Sequence, residues 1–155
     1  MDKVDEMPGH HIRRLNQIAV AVFHVEVGGA GSDLTPVQFA ALATLKDNPG
    51  IDQATLAGLI AYDRTTIMGV VDRLVQKGLV NRAVNGKDRR ARLLEVTAEG
   101  LALLEAIHPA VLSAQRLMLS GLTDAEADTF LILLKKATRG ANDLSRAPMK
   151  SVPES

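Results

Sequence analysis

A chain of 155 residues supports one core of ordinary size and is too short for two domains with separate tasks; without cysteine it has no disulfide, thiolate metal cluster or thiol-based redox sensor. Its 18 lysines and arginines balance 18 aspartates and glutamates, so bulk charge points to no polyanionic partner, but residues 61–92 hold eight basic and three acidic side chains, a local excess that suits nucleic acid. No apolar run approaches the roughly 20 residues that cross a bilayer, and Met1–Glu6 leads into no signal-peptide core, which predicts a cytoplasmic protein with no membrane partner.

In chain order, the spacing of Ile12, Leu15, Ile18, Ala19, Val22 and Phe23 predicts a helix from about His10 to Glu26, followed by a flexible break at Val27-Gly28-Gly29-Ala30-Gly31-Ser32. Leu34-Thr35-Pro36-Val37-Gln38-Phe39 then carries the signals of a helix start: Thr35 as cap, proline at the first position, Gln38 completing a capping box, and a Leu34 to Phe39 staple. Asn48-Pro49-Gly50 stops that helix. Ile51-Asp52 with Leu56, and Tyr62-Asp63 with Ile67, repeat the cap and staple, and Lys77-Gly78 reads as a cationic last turn closed by glycine. Residues 35–78 thus hold three helices of about 13, 8 and 14 residues, the last two parted only by the turn at Tyr62, which is helix-turn-helix spacing.

After Gly78 come Leu79–Val84, the hairpin dipeptide Asn85-Gly86 and a returning strand Ala91–Val96. Alternation is imperfect, with Arg92 at an inward position, so the turn carries more of this assignment than the pattern does. Val96-Thr97 with Leu101 opens a long helix to Ser120, and Leu122-Thr123-Asp124-Ala125-Glu126 carries a full capping box for another, from Thr123 to about Arg139. The apolar positions Leu101, Leu104, Ile107, Val111, Phe130, Leu131 and Leu134, with those of the first helix, exceed what a small central unit covers and predict a homodimer interface. From Asn142 onward, with Pro148 and Pro153, the composition predicts a disordered tail. The expected fold is mainly α with a small β-hairpin wing. Residues 1–33 form an N-terminal dimerisation helix and break, 34–97 a winged helix-turn-helix, 98–141 the C-terminal dimerisation helices and 142–155 the tail.

On the helix Arg64–Lys77, the residues Ile67, Val70, Val71 and Leu74 fall within about 100° of one another, leaving Thr65, Thr66, Gly69, Asp72 and Arg73 opposite. Small hydroxyls and a glycine allow close approach to a major groove, with Arg73 placed for a phosphate or a guanine; the plain alternative is a solvated polar face. Arg64 opposes the helix dipole in the first turn, which a phosphate partner offsets. Gln53, the first residue after its cap, either touches the DNA backbone or belongs to ordinary cap surroundings. The tip Lys87-Asp88-Arg89-Arg90 reads as a wing whose arginine enters the minor groove, with Asp88 orienting Arg90 or a neighbouring arginine, or else as a solvated charged hairpin. Scarce aromatics, three phenylalanines and one tyrosine without tryptophan, argue for duplex rather than single strands as target.

No HExxH, P-loop, GxGxxG or nucleophile-elbow pattern is present, so the chain reads as no enzyme and calls for no cofactor. His10, His11, His24 and His108, meeting acidic residues across a dimer, leave a metal-responsive regulator open. A ligand-independent DNA binder is the third class.

From Leu34 to about Leu104 the chain resembles the MarR family of bacterial regulators. The likeness lies in Leu34-Thr35-Pro36-Val37-Gln38-Phe39, in Asp63-Arg64-Thr65-Thr66-Ile67-Met68-Gly69-Val70-Val71-Asp72-Arg73-Leu74, in Lys77-Gly78-Leu79-Val80 and in Asp88-Arg89-Arg90-Ala91-Arg92-Leu93-Leu94-Glu95-Val96-Thr97. The family's Asp-x-Arg wing motif maps onto Asp88 and Arg90. The resemblance implies an obligate dimer with interlocked terminal helices, two recognition helices in successive major grooves of a double-stranded operator, and repression relieved by a small ligand. The opening Met7–Ala19 is similar to a subset governing aromatic-acid catabolism, which implies an aromatic carboxylate or its CoA thioester as effector. On that likeness His10, His11 and Arg14 lie near the crevice between dimerisation helices and reading heads, where imidazole or guanidinium binds carboxylate or phosphate. As helix-start polar residues against a partner chain they are equally well explained, and His24 and His108 read as structural or exposed.

Overall fold

The computed structural model describes residues 3–84, 86 and 92–151, with the backbone alone at Arg92. Its elements run α1 (Pro8–Gly29), α2 (Pro36–Asp47), β1 (Ile51–Asp52), α3 (Gln53–Leu59), α4 (Arg64–Gln76), β2 (Val80–Val84), β3 (Arg92–Val96), α5 (Ala98–Met118) and α6 (Asp124–Gly140), with 3₁₀ turns at Val4–Glu6 and Asn142–Leu144. Two compact units divide the chain, Met1–Pro36 with Ala106–Phe130 and Val37–Glu105 with Leu131–Ser155. The chain crosses between them inside α5, where Pro109 withholds the N–H that would bond the Glu105 carbonyl.

In the first unit, α1 continues through Gly28-Gly29, so the break expected at Val27–Ser32 is corrected: its first half is helix, and the rest is a hydrogen-bonded end. Ser32 N donates to Val27 O at 3.1 Å and Gly31 N to Gly28 O at 3.0 Å, with Gly31 at φ 85. That is a Schellman termination, in which only the residue after the C-cap needs the left-handed conformation glycine adopts without strain. Phe23, Val27, Leu34, Ile107, Val111 and Ala114 are this unit's buried apolar side chains.

The second unit is built on a three-stranded antiparallel sheet of order β1-β3-β2. The expected hairpin is present as an antiparallel β2–β3 pair, in a register that puts Val80 opposite Val96 and Arg82 opposite Leu94, while Ile51 pairs with Leu94 on the other edge of β3. The third strand is new relative to the sequence reading, because Ile51-Asp52 both pairs with β3 and caps α3. The Asp52 carboxylate accepts from Thr55 N at 2.7 Å. Helix α3 packs on α4, and α4 on β2, over a core of Leu42, Leu45, Leu56, Ile67, Leu74, Val80 and Leu94. Gln38 is the single buried polar residue among those described.

Thr97 joins this core to α5. Its hydroxyl donates to Gly78 O at 2.6 Å and accepts from Gly100 N at 3.0 Å, and its own N–H donates to Leu79 O. Gly100 has to lack a side chain here, since a Cβ would fall 2.4 Å from the Leu79 carbonyl oxygen and 2.6 Å from Val96 Cγ1. At α6 the expected capping box is present in both directions, Thr123 N to Glu126 Oε1 at 3.0 Å and Glu126 N to Thr123 Oγ1 at 3.2 Å. The tail expected to be disordered from Asn142 is instead folded through Lys150. Its backbone is satisfied by the Asn142 side chain and by the Gly58 carbonyl rather than by apolar burial, which composition does not register. Residues 152–155 lie outside the described residues.

Candidate nucleic-acid interface

Helices α3 and α4 with the β2–β3 hairpin carry the residues expected to read DNA. Asp63 starts α4: its Oδ1 accepts from Thr66 N at 2.8 Å and its Oδ2 from the Thr66 hydroxyl at 2.9 Å. These two bonds, the backbone one foremost, hold the Asp63 carboxyl below the usual carboxylate range. They also change what Thr66 offers. With its hydroxyl proton committed to Asp63, Thr66 presents only lone pairs outward, and its role is first to set the helix start.

Ile67, Val70, Val71 and Leu74 are buried, as the 100° stripe requires, and Arg64, Thr65, Thr66, Gly69 and Arg73 are exposed together on the other side. A Cβ at Gly69 would meet nothing within 4 Å, so this part of the helix is open to a close neighbour. Beside it Met68, which the sequence reading passed over, stands 50% exposed.

Gln53 is half-buried and does not stand alone. Arg82 of β2 reaches it at 3.4 Å through Nη2, and the same nitrogen donates to Asp72 Oδ1 at 2.6 Å. One arginine therefore ties the first turn of α3 to the third turn of α4. In the sequence Arg82 is one of the eight basic residues of 61–92 and nothing more, because its role depends on a strand register that spacing alone does not supply. Lys87, Asp88, Arg89 and Arg90, and Asn85 of the expected Asn85-Gly86 turn, lie outside the described residues.

The residues assigned to an effector lie in the first unit. His10 and His11 meet edge to face at 5.4 Å between ring centroids. Arg13 Nη2 lies 3.3 Å from His10 Nδ1, and His11 Nε2 lies 2.6 Å from Asp5 O, so the His11 proton sits on Nε2 and His10 Nδ1 keeps its lone pair. Desolvation, then the charges of Arg13, His11 and Arg14, lowers the His10 pKa. The structure thus brings His10 and His11 together and adds Arg13 and the Asp5 carbonyl, while Arg14 is exposed on the same turn. His24 is exposed, edge to face with Phe23, and His108 is exposed on α5. Among the described residues no three His, Cys, Asp or Glu side chains are grouped to hold a metal ion, and no helix is long and apolar enough to cross a membrane.

A helix-turn-helix continued by a β-hairpin, with a polar and basic reading face on its second helix, defines a winged-helix DNA-binding protein. Residues 34–91 match the MarR family, and the chain belongs to that family of transcriptional regulators, which are not enzymes. It is 35% identical over 133 residues to the transcriptional repressor NicR of Pseudomonas putida, covering 86% of this chain and 83% of that one. Among solved structures it is similar to BpsR of Bordetella bronchiseptica, described with regulation of its DNA binding by 6-hydroxynicotinic acid, with a TM-score of 0.82 at 30% identity over 89% of this chain and 97% of that one. A mutant of MarR from Escherichia coli complexed with operator DNA has a TM-score of 0.78 at 28% identity over 88% of this chain and 99% of that one.

Proposed function

We propose that the chain is a repressor that grips a pseudo-palindromic operator as a homodimer and releases it on binding a small aromatic carboxylate or its CoA thioester. The observation that carries the DNA reading is the outward face of α4, where Arg64, Thr65, Gly69 and Arg73 stand exposed opposite a buried stripe. Two such helices about 34 Å apart match successive major grooves, on an operator of roughly 16 to 20 base pairs. Thr65 and Arg73 supply bonds to phosphate or base edges, Gly69 the close approach, and Met68 an apolar contact of the kind that meets a thymine methyl. Lys87, Arg89 and Arg90 act as the wing, with Arg90 in the minor groove and Asp88 holding it. Thr66 and Gln53 act through the cap and through Arg82.

The effector reading rests on two supports. His10, His11, Arg13 and Arg14 cluster at the start of α1, where cations and imidazoles suit a carboxylate, and the similar BpsR is described with a hydroxylated pyridine carboxylic acid. A thermal-shift screen of aromatic acids and their CoA thioesters tests it, because a ligand selective for the folded dimer raises its midpoint. Hits are then added to the protein–operator complex. Release of DNA by a stabilising acid is the expected result; operator binding indifferent to every stabilising acid and thioester refutes the effector reading. A monomer that footprints a single half-site refutes the dimeric one.

A further inference from the structure

The segment that follows α6 turns back onto the first helix of the reading head. Asn142 closes an eight-residue ring, with its Nδ2 donating to Met149 O at 3.0 Å and its Oδ1 accepting from Met149 N at 2.9 Å. Just beyond the ring, Lys150 N donates to Gly58 O at 2.8 Å. Gly58 is the penultimate residue of α3, and its carbonyl is one of the acceptors that a helix end leaves without a helical donor. The other donor to it, Ala61 N, stands at 3.4 Å, near the outer limit of a hydrogen bond.

The turn that follows is strained. Ala61 has φ 57, in the left-handed region, and its local support is the bond from Tyr62 N to Ala57 O at 3.0 Å with the long one from its own N–H. A residue held in that region persists where its surroundings over-determine it. The backbone from Gly58 to Asp63 also sets the angle between α3 and α4. Gly58 is what lets the segment dock so closely, since a Cβ there would lie 3.2 Å from Lys150 Cβ and 3.3 Å from Lys150 Cδ. The docking buries little apolar surface, with Leu144 87% and Met149 57% exposed, so its effect is local rather than a share of the core.

We infer that Asn142, Gly58 and the Met149-Lys150 backbone are positioning residues for DNA reading: residues 141–151 cap α3 and hold the α3–α4 turn in the shape that presents α4. This rests on the role proposed above for α4. Its recognition element is main chain to main chain, with the Asn142 side chain closing the ring and the Ser145 hydroxyl accepting from Ala147 N within it.

Operator affinity by fluorescence anisotropy and amide exchange by mass spectrometry test it on three variants: a chain ended after Gly140, Asn142→Ala and Gly58→Ala. The first two are expected to bind the operator about three- to tenfold more weakly, the worth of one hydrogen bond, with faster exchange at Ala61 and Tyr62 and unchanged exchange in α5. Gly58→Ala separates positioning from simple stability, because alanine is the better helix former. Weaker binding by that variant at an unchanged or raised thermal midpoint supports the strap. Unaltered affinity and exchange in Asn142→Ala overturn it, as does exchange that accelerates throughout the fold. If the wild-type protein binds no palindromic operator, the reading of α4 fails, and exchange at Ala61 and Tyr62 alone decides the strap: faster in Asn142→Ala upholds it, unchanged refutes it.

Discussion

Ala61 occupies the same station at the end of α3 that Gly78 occupies at the end of α4, one residue past the helix cap and at positive φ. The hydrogen bonds match too: Tyr62 N to Ala57 O closes the first helix as Leu79 N to Leu74 O closes the second. The difference is a Cβ, which in the left-handed region crowds the following carbonyl. Ala61→Gly is therefore expected to raise stability by about 1 kcal/mol, offset in part by glycine's greater freedom when unfolded, and a urea titration reads it as a higher midpoint at unchanged slope. Gly100 presents the opposite case. Its Cα sits under the Leu79 carbonyl and Val96, and neither the backbone oxygen nor the side chain of the paired strand end moves freely. Gly100→Ala is expected to destabilise by about 1 to 3 kcal/mol through overpacking, seen as a lower thermal midpoint with the helical circular dichroism of the native protein retained below it.

At the scale of elements, the helix starts were the most legible part of the sequence, because a cap is a local device. Asp52, Asp63 and the Thr123-Glu126 box all bond as their spacing predicts. What escaped depends on partners distant in sequence: β1 pairs with β3 across more than forty residues, Arg82 needs the hairpin register to reach Asp72 and Gln53, and the segment after Asn142 is ordered by a carbonyl on α3. The buried stripe of α4 was legible from period alone, whereas the diversion of the Thr66 hydroxyl to Asp63 was not, since either rotamer suits an exposed threonine. That cap carries a pH dependence of definite sign. The folded Asp63 carboxyl titrates below the usual carboxylate range, so the unfolded chain takes up its proton first. Its contribution is complete above the unfolded pKa and is lost as pH falls through the lower folded one. In urea titrations between pH 5 and about pH 2, wild type is expected to lose more stability than Asp63→Asn, whose amide still caps without titrating. Parallel curves for the two proteins would remove Asp63 from the acid response.

The whole molecule raises the question of what covers its end helices. The spacing that predicted them amphipathic is borne out only in part inside one chain, for Phe23, Leu104, Ile107 and Val111 are buried while Ile12, Leu101, Leu131 and Leu134 are not. Helix α6 is the sharpest instance: it buries no residue along its 17, and Leu131, Ile132, Leu133 and Leu134 stand exposed in succession, Ile132 at 65%. A helix of that length is marginal in water on propensity alone and draws most of its stability from packing an apolar face. Burying four such side chains is worth about 1.5 to 3 kcal/mol each, enough to make folding of α6 and association with a second copy a single event. Placing charges there, as in Ile132→Lys with Leu133→Glu, is expected to shift the protein to a monomer in sedimentation velocity at micromolar concentration. The same variant should lose amide protection across α6 and keep it in α3 and α4, whose buried core includes no residue of α6. Operator binding should then fall much further than any single wing or α4 substitution lowers it, because one reading head loses the second as its tethered partner. A double variant that sediments as wild type and binds the operator undiminished would mean that α6 is covered by something other than a second copy of this chain.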